Sequence, residues 1–136
     1  MGRNASPSRI NAIYNRIYTG RYYVWPTLSV GALLVSNGAV WTKGVYTEIL
    51  PVNSFNFQVF LSGIFVVAPG VPTEFEIDIS VGLAGSETVI ATIPVINTGL
   101  TPLAMPILVS IGNRISGRCA DSVGGSNCRV KIMFKT

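Results

Sequence analysis

The last thirty residues constrain the fold most strongly, because they contain two consecutive runs in which apolar and polar side chains alternate. In residues 109–119 and 128–134 the apolar side chains recur at every second position, the period of a strand with one buried face. The residues between these runs are mostly Gly, Ser, Asp and Asn, which favour turns. We therefore predict a β-hairpin in which Cys119 lies opposite Cys128 and the apolar side chains of both arms share one face.

The opposite face of this predicted hairpin is basic. It carries Arg114 and Arg118 on the first arm and Arg129 and Lys131 on the second, with Arg118 directly across from Arg129. Like charges placed opposite one another destabilise a sheet, so the pattern predicts an anionic partner. Within the chain, residues 74–81 alternate inward apolar side chains with an outward acidic row: Glu74, Glu76 and Asp78. We expect the acidic row to meet the basic face, either in one chain or between chains.

From Leu28 onward, short runs of β-type periodicity are separated by turn residues. No pattern of helical length interrupts the predicted strands, which lie near 28–35, 39–43, 45–50, 55–67, 74–81, 87–93, 103–111, 113–120 and 127–135. This spacing predicts an all-β, jelly-roll-like antiparallel β-sandwich over residues 27–136. In 55–67 one face is continuously apolar, and the other becomes apolar at Phe60, Ile64 and Val66, with Gly63 as a candidate bulge. We predict that this second apolar face contacts the N-terminal arm or another subunit.

Residues 1–26 form a predicted N-terminal arm. The segment 1–21 contains four arginines and no acidic residue. Pro7 suits the first position of a helix, and one apolar stripe follows at helical spacing: Ile10, Ile13, Tyr14, Ile17 and Tyr18. An extended arm that orders only against a neighbour is the alternative, since so short a helix is marginal alone. In either form, we predict that the stripe docks on protein.

The composition argues against catalysis. Histidine is absent, which removes the most common general base and metal ligand, and two cysteines without histidine do not make an ordinary zinc site. Phosphate-binding loops and nucleophile motifs are also missing. We therefore predict a protein that is not an enzyme and that uses no metal or cofactor. Cys119 and Cys128 either close a disulfide or remain thiols, and the sequence leaves both alternatives open.

The low charge and high hydropathy of the chain indicate that much of its surface lies against a partner. Only 12% of the residues are charged, about half the usual share. No apolar run is long enough to span a bilayer, and residues 1–8 lack the apolar core of a signal peptide. The arginines of the arm favour nucleic acid only weakly, because they are few and widely spaced. We expect a protein partner, and neither a membrane nor a nucleic acid.

Four stretches together resemble small structural proteins of tailed bacteriophages. They are Gly44-Val-Tyr-Thr-Glu-Ile49, Phe75-Glu-Ile-Asp-Ile-Ser-Val-Gly-Leu-Ala-Gly-Ser-Glu87, Leu103-Ala-Met-Pro-Ile-Leu108 and Gly112-Asn-Arg-Ile-Ser-Gly-Arg118. In this order they resemble the jelly-roll decoration, or cement, proteins of phage heads. The resemblance covers about two thirds of the chain and leaves the arm outside.

The resemblance implies a virion protein, made in the host cytoplasm and placed on the head surface. It implies a homotrimer that binds the major capsid protein and stabilises the assembled shell, with no catalytic residues. The alternative is a carbohydrate- or receptor-binding jelly roll of a phage tail or fibre. In that case the stacking platforms for sugar rings come from a small set of aromatic side chains: Tyr22, Tyr23, Trp25 and Trp41.

Overall fold

The computed structural model describes residues 22–26, 31–69, 74–96 and 98–136, with only the backbone at 68 and 69. Within these ranges the chain forms nine β-strands and no helix. The strands are β1 (Tyr22–Trp25), β2 (Ala32–Val35), β3 (Thr47–Leu50), β4 (Val59–Pro69), β5 (Phe75–Val81), β6 (Thr88–Val95), β7 (Gly99–Val109), β8 (Ile115–Asp121) and β9 (Asn127–Lys135). The described part of the chain therefore holds no helix that is long and apolar enough to cross a membrane.

The strands form two antiparallel sheets. The first sheet has the order β1-β9-β4-β7, and β2 pairs with the same edge of β9 as β1, at the opposite end of that strand. The second sheet has the order β3-β8-β5-β6. Apolar side chains from the inner faces of both sheets form one core, in which Leu34, Ile77, Ile115, Ile132 and Phe134 are fully buried.

The pairing order identifies the architecture as a jelly roll. Strands β2 to β5 pair with β9 to β6 in mirror order, as β2·β9, β3·β8, β4·β7 and β5·β6. This is the pairing of one long antiparallel ribbon that has been rolled up, so that successive segments of the ribbon fall in alternate sheets. The predicted all-β, jelly-roll-like sandwich is confirmed.

The predicted C-terminal hairpin is wrong. Strand β8 belongs to the second sheet and β9 to the first, and residues 122–126 cross from one sheet to the other. Cys119 and Cys128 therefore face each other through the core and not along a ladder of paired strands. Alternation identifies which side chains point inward, but it does not identify the sheet in which a strand pairs. Both strands direct the predicted apolar side chains into the core, although β8 and β9 do not pair with each other.

A bulge in β4 reverses the face assigned to its second half. The registers of β4 with β7 and β9 shift between Leu61 and Gly63, as expected for a bulge at Gly63. The extra residue turns Ile64 and Val66 into the core, where they are 0% and 1% exposed, while Phe60 points outward. The prediction that Ile64 and Val66 lie on a second, partner-binding face is therefore corrected, and Phe65 takes their place beside Phe60 on the outside.

Other predicted boundaries also move. Residues 39–43 are turn and irregular structure. The backbone amides of Trp41 and Gly44 nevertheless donate to carbonyl oxygens of β8, so this segment follows the same edge of β8 with which β3 pairs. Strand β4 begins at Val59 and not at residue 55. Phe55 instead packs its ring against Phe134, with ring centroids 5.5 Å apart.

The end of the predicted arm is part of the sandwich. Tyr22–Trp25 pairs with β9 over four positions, and the rings of Tyr23 and Trp25 pack against Phe55. The boundary predicted after residue 26 thus falls beyond the first strand of the sheet. The predicted apolar stripe of the arm, from Ile10 to Tyr18, lies outside the described residues.

Candidate protein-binding surface on the first sheet

The basic residues predicted to share one hairpin face lie on opposite sides of the molecule. Arg114 and Arg118 stand on the outer side of the second sheet, beside β8. Arg129 and Lys131 stand on the outer side of the first sheet, on β9. This separation follows from the assignment of β8 and β9 to different sheets. The two groups therefore have different charged surroundings.

On the second sheet, the central ion pairs surround Asp78 of β5. Its two carboxylate oxygens accept from Arg118 Nε and Lys43 Nζ, each at 2.9 Å, and Thr92 Oγ1 donates to the same carboxylate at 2.8 Å. Lys43 also pairs with Glu76 at 2.7 Å. Burial alone would raise the pKa of Asp78, but the bonds from Lys43, Arg118 and Thr92 outweigh it and lower that pKa. The acidic row is thus neutralised within the chain at Asp78 and Glu76.

Arg114 has a similar enclosed position. Its Nε donates to Glu48 Oε1 at 2.9 Å, and its Nη1 lies 3.4 Å from Glu87 Oε1 and 3.3 Å from the carbonyl oxygen of Gly82. The guanidinium of Arg118 also stacks over the ring of Tyr46, 4.5 Å from its centroid. Both arginines are committed to partners in their own chain. The outer side of the second sheet therefore has little charge left for an external partner.

The outer side of the first sheet has the opposite character, because its cations have no acidic neighbours. None of its five strands contains Asp or Glu. Arg129, Lys131 and Lys135 alternate along β9, and none of them forms an ion pair with the described residues. Lys135 lies over the ring of Tyr22 at 6.0 Å. This row of cations is thus open to an external anion.

Apolar side chains surround these cations. In an antiparallel sheet, paired residues project from the same face, and the pairing places Leu33 beside Arg129, Phe65 beside Lys131 and Phe60 beside Lys135. Further exposed apolar side chains on this side are Tyr22, Val24, Val35, Leu100 and Leu108. We call this outer side of the first sheet the basic apolar face. Contiguous exposed apolar patches are typical of interaction surfaces, so the basic apolar face is the candidate binding surface.

The basic apolar face contains a groove beside the bulge. Opposite Ser62 the register of β7 jumps from Ile107 to Pro102, so residues 103–106 form a wide bulge within β7, in which Leu103 packs against the core. The depression next to this bulge has a volume of about 440 Å³ and is lined by Tyr22, Ser62, Leu100, Pro102, Leu103, Pro106, Met133 and Lys135. Pro102 and Pro106 carry no backbone N–H, so this stretch of the edge strand is a poor template for a further strand. The groove therefore suits side chains of a partner more than an added strand.

Phe65, Leu100 and Lys135 were not predicted as members of this surface. Lys135 continues the alternation of Arg129 and Lys131, which was a usable signal. Leu100 and the bulge of β7 carried none, because their position depends on pairing with the bulged part of β4. Of the residues predicted to bind a partner, Phe60, Arg129 and Lys131 are brought together on this face.

A buried carboxylate fixes the crossing between the two sheets. Asp121 is 0% exposed and accepts hydrogen bonds from the hydroxyl of Ser36 and from the amides of Val123, Gly124 and Ser126. Burial alone would raise the pKa of Asp121, but the bond from Ser36 and the three amides outweigh it and lower that pKa. The amide-to-carboxylate bonds account for the tight turn over 121–126, so the role of this acid is structural.

The two cysteines are buried free thiols that make contact across the core. The hydrogen bond that the Cys128 thiol donates to Cys119 and the loss of water both raise the pKa of Cys128. A raised pKa keeps the thiol protonated and inert near neutral pH. The predicted alternative of two thiols is the state that the structure contains, and a disulfide here would join the two sheets.

Among the described residues, no group of three or more Cys, Asp or Glu side chains is placed to hold a metal ion. Comparison with known proteins adds no assignment, since no protein-family model matches the chain and no curated protein matches it in sequence. The basic apolar face is therefore interpreted from its own geometry and charge.

Proposed function

We propose that the protein is a decoration, or cement, protein of a tailed bacteriophage head, which binds the major capsid protein of the assembled shell and stabilises it. The observation that carries this proposal is the basic apolar face, a broad unpaired surface on a rigid jelly roll. Two features from the sequence support it: the resemblance to phage decoration proteins and the absence of histidine-based chemistry. The proposal places the protein on the head surface of the virion.

Such a protein acts through binding energy. If it binds the assembled shell and not the separated subunits, mass action shifts the equilibrium toward the shell. Burial of one exposed Phe or Leu side chain contributes about 1.5–3 kcal/mol, and several on one face offset the loss of freedom on association. The proposal includes a homotrimer. Three linked copies of the face would raise the overall affinity through the high effective concentration of the second and third sites.

A carbohydrate-binding jelly roll is the competing function, but the positions of its aromatic side chains do not favour it. Tyr23 and Trp25 pack inward, with ring centroids 5.6 Å and 6.5 Å from that of Phe55. Tyr22 lies on the basic apolar face, while Trp41 lies in the turn between β2 and β3. The four predicted platforms are thus divided between the core and two separate parts of the surface.

The test uses heads of the phage that encodes this chain, prepared with the gene deleted. Purified protein is added to these heads and, in parallel, to unassembled major capsid protein, and binding is measured by co-sedimentation. We expect saturable binding to heads, weak binding to free subunits, and a higher temperature for rupture of the decorated heads. Protein that remains in the supernatant with heads but binds a glycan array would refute the proposal in favour of the carbohydrate-binding alternative.

A further inference from the structure

We propose that the basic apolar face recognises a protein surface that combines carboxylates with a projecting apolar side chain, the carboxylates pairing with the β9 cations and the side chain entering the groove. The inference rests on the proposed function in one respect: on a phage head, this surface belongs to the major capsid protein. It assigns the partner's chemistry and the face that meets it.

The charge distribution requires an acidic partner. All six acidic residues lie on the second sheet or in the segments next to it, and the first sheet has none. Arg129 and Lys131 therefore remain without an ion pair among the described residues. A neutral apolar partner would remove water from these cations without compensation, which is costly. A partner with carboxylates opposite β9 supplies that compensation, and its ion pairs with the cations fix the position in which it binds on the face.

The chain itself does not supply this partner. Residues 1–21 contain four arginines and no acid, so the arm would add repulsion to the β9 cations. A second copy bound through the same face would oppose cation to cation. A second copy bound through its second sheet would offer Glu74 alone, since Asp121 is buried and the other acids already serve Lys43, Arg114 and Arg118, and one carboxylate does not match three cations. The occupant is therefore a different protein.

The groove explains why the partner carries an apolar side chain beside its carboxylates and is not a polyanion alone. Its volume of about 440 Å³ and its lining by Leu100, Pro102 and Met133 suit a large apolar side chain. Lys135 lies at the same groove and is placed to meet a carboxylate beside that side chain. Nucleic-acid sites depend on many phosphate contacts from clustered Lys and Arg, whereas β9 offers three cations, each flanked by an apolar side chain on a neighbouring strand.

The first experiment measures binding of a soluble probe with both chemical features, a random copolymer of glutamate and tyrosine, at low salt. Nuclear magnetic resonance of the ¹⁵N-labelled full chain locates the contact. We expect shifts confined to β9, to β4 around Phe65 and to β7 around Leu100. Shifts confined to the second sheet would overturn the proposal. Tighter binding to double-stranded DNA or to anionic lipid vesicles than to the copolymer would also overturn it.

Variants test the charged and the apolar contributions to binding separately. Lys131→Glu should weaken copolymer binding at least about fivefold, because it replaces attraction by repulsion at the centre of the face. The matched control is the double variant Ala84→Glu with Thr88→Glu, which changes the net charge equally on the exposed turn and edge of the second sheet. Phe65→Ser should weaken binding about tenfold. Its control is Leu83→Ser, which removes an even more exposed apolar side chain, 66% against 42% for Phe65, from the β5–β6 turn. Equal losses in variant and control would overturn the assignment of the face.

The same variants with purified heads separate this inference from the proposed function. If the wild-type protein binds heads and the Lys131→Glu variant binds them equally well, the assignment of the binding face is wrong and the cement function stands. If the wild-type protein does not bind heads but binds the copolymer through β9, the function is wrong and the partner chemistry stands. Each variant is checked for wild-type folding by its amide spectrum before either comparison.

Discussion

Replacing Asp121 by Asn should destabilise the protein by roughly 3 kcal/mol. The carboxylate accepts four hydrogen bonds in a fully buried site, with the amides of Val123 and Gly124 on Oδ1 and Ser36 and the amide of Ser126 on Oδ2. Asn retains one acceptor oxygen, and its NH₂ group would face donors at the other position. The Ser36 hydroxyl can rotate to accept, but the amide of Ser126 cannot. The substitution therefore sets the Asn NH₂ group against the amide N–H of Ser126, and it weakens the other hydrogen bonds because their acceptor is no longer charged. A hydrogen bond to a charged group contributes about 1.5–3 kcal/mol.

The assay is equilibrium unfolding in urea at neutral pH. With a denaturant dependence of about 1.5–2 kcal/mol per molar urea, the expected loss lowers the unfolding midpoint by about 1.5–2 M. The matched control is Glu74→Gln, the same chemical change at an exposed residue, which should stay within about 0.5 kcal/mol of wild type. A loss below about 1 kcal/mol for Asp121→Asn would refute the role assigned to the caged carboxylate.

Acidification should remove the same stabilisation. The pKa values of Asp78 and Asp121 are both lowered from the ordinary 3.8. A carboxyl with a depressed pKa stabilises the fold fully above its unfolded-state pKa, and this contribution is lost as the pH falls through the folded-state pKa. We expect wild-type stability to fall below about pH 4, and the difference between wild type and Asp121→Asn to shrink there. A difference that is constant down to about pH 2 would contradict the lowered pKa of Asp121.

Three further predictions concern the thiols, the oligomer and the arm. Cys119 and Cys128 should not react with a thiol reagent in the native protein and should react at the rate of unfolding, whereas fast native labelling would show that they are not buried as a pair. Sedimentation at micromolar concentration should give a homotrimer, and a stable monomer would remove that part of the proposed function. Deletion of residues 1–20 leaves every described strand intact, so the truncated protein should keep the wild-type unfolding midpoint and lose affinity for heads. A truncated protein that fails to fold would instead place the predicted apolar stripe in the core.

The sequence alone was enough to predict the fold class and most inward-facing residues. Phe75, Ile77 and Ile79 alternate with Glu76 and Asp78, and the structure places the first three in the core and the acids on the opposite face of the strand, where Asp78 is covered by its ion-pair partners. The reason is physical and local. The side chains of a strand alternate between its two faces, and a strand with one face in the core must carry apolar residues on that face only.

Only the tertiary structure decided which strands are neighbours and which side chains the bulge predicted at Gly63 turns inward. Strands β8 and β9 have the pattern of a hairpin, yet the rolled ribbon pairs β8 with β3 and β5, and β9 with β4. The bulge beside Gly63 moves Ile64 and Val66 inward and Phe65 outward, which no count of alternating residues would reveal. Pairing and bulges depend on residues far apart in the chain. For that reason the basic residues that the sequence placed on one face belong to two surfaces, one neutralised within the chain and one open to a partner.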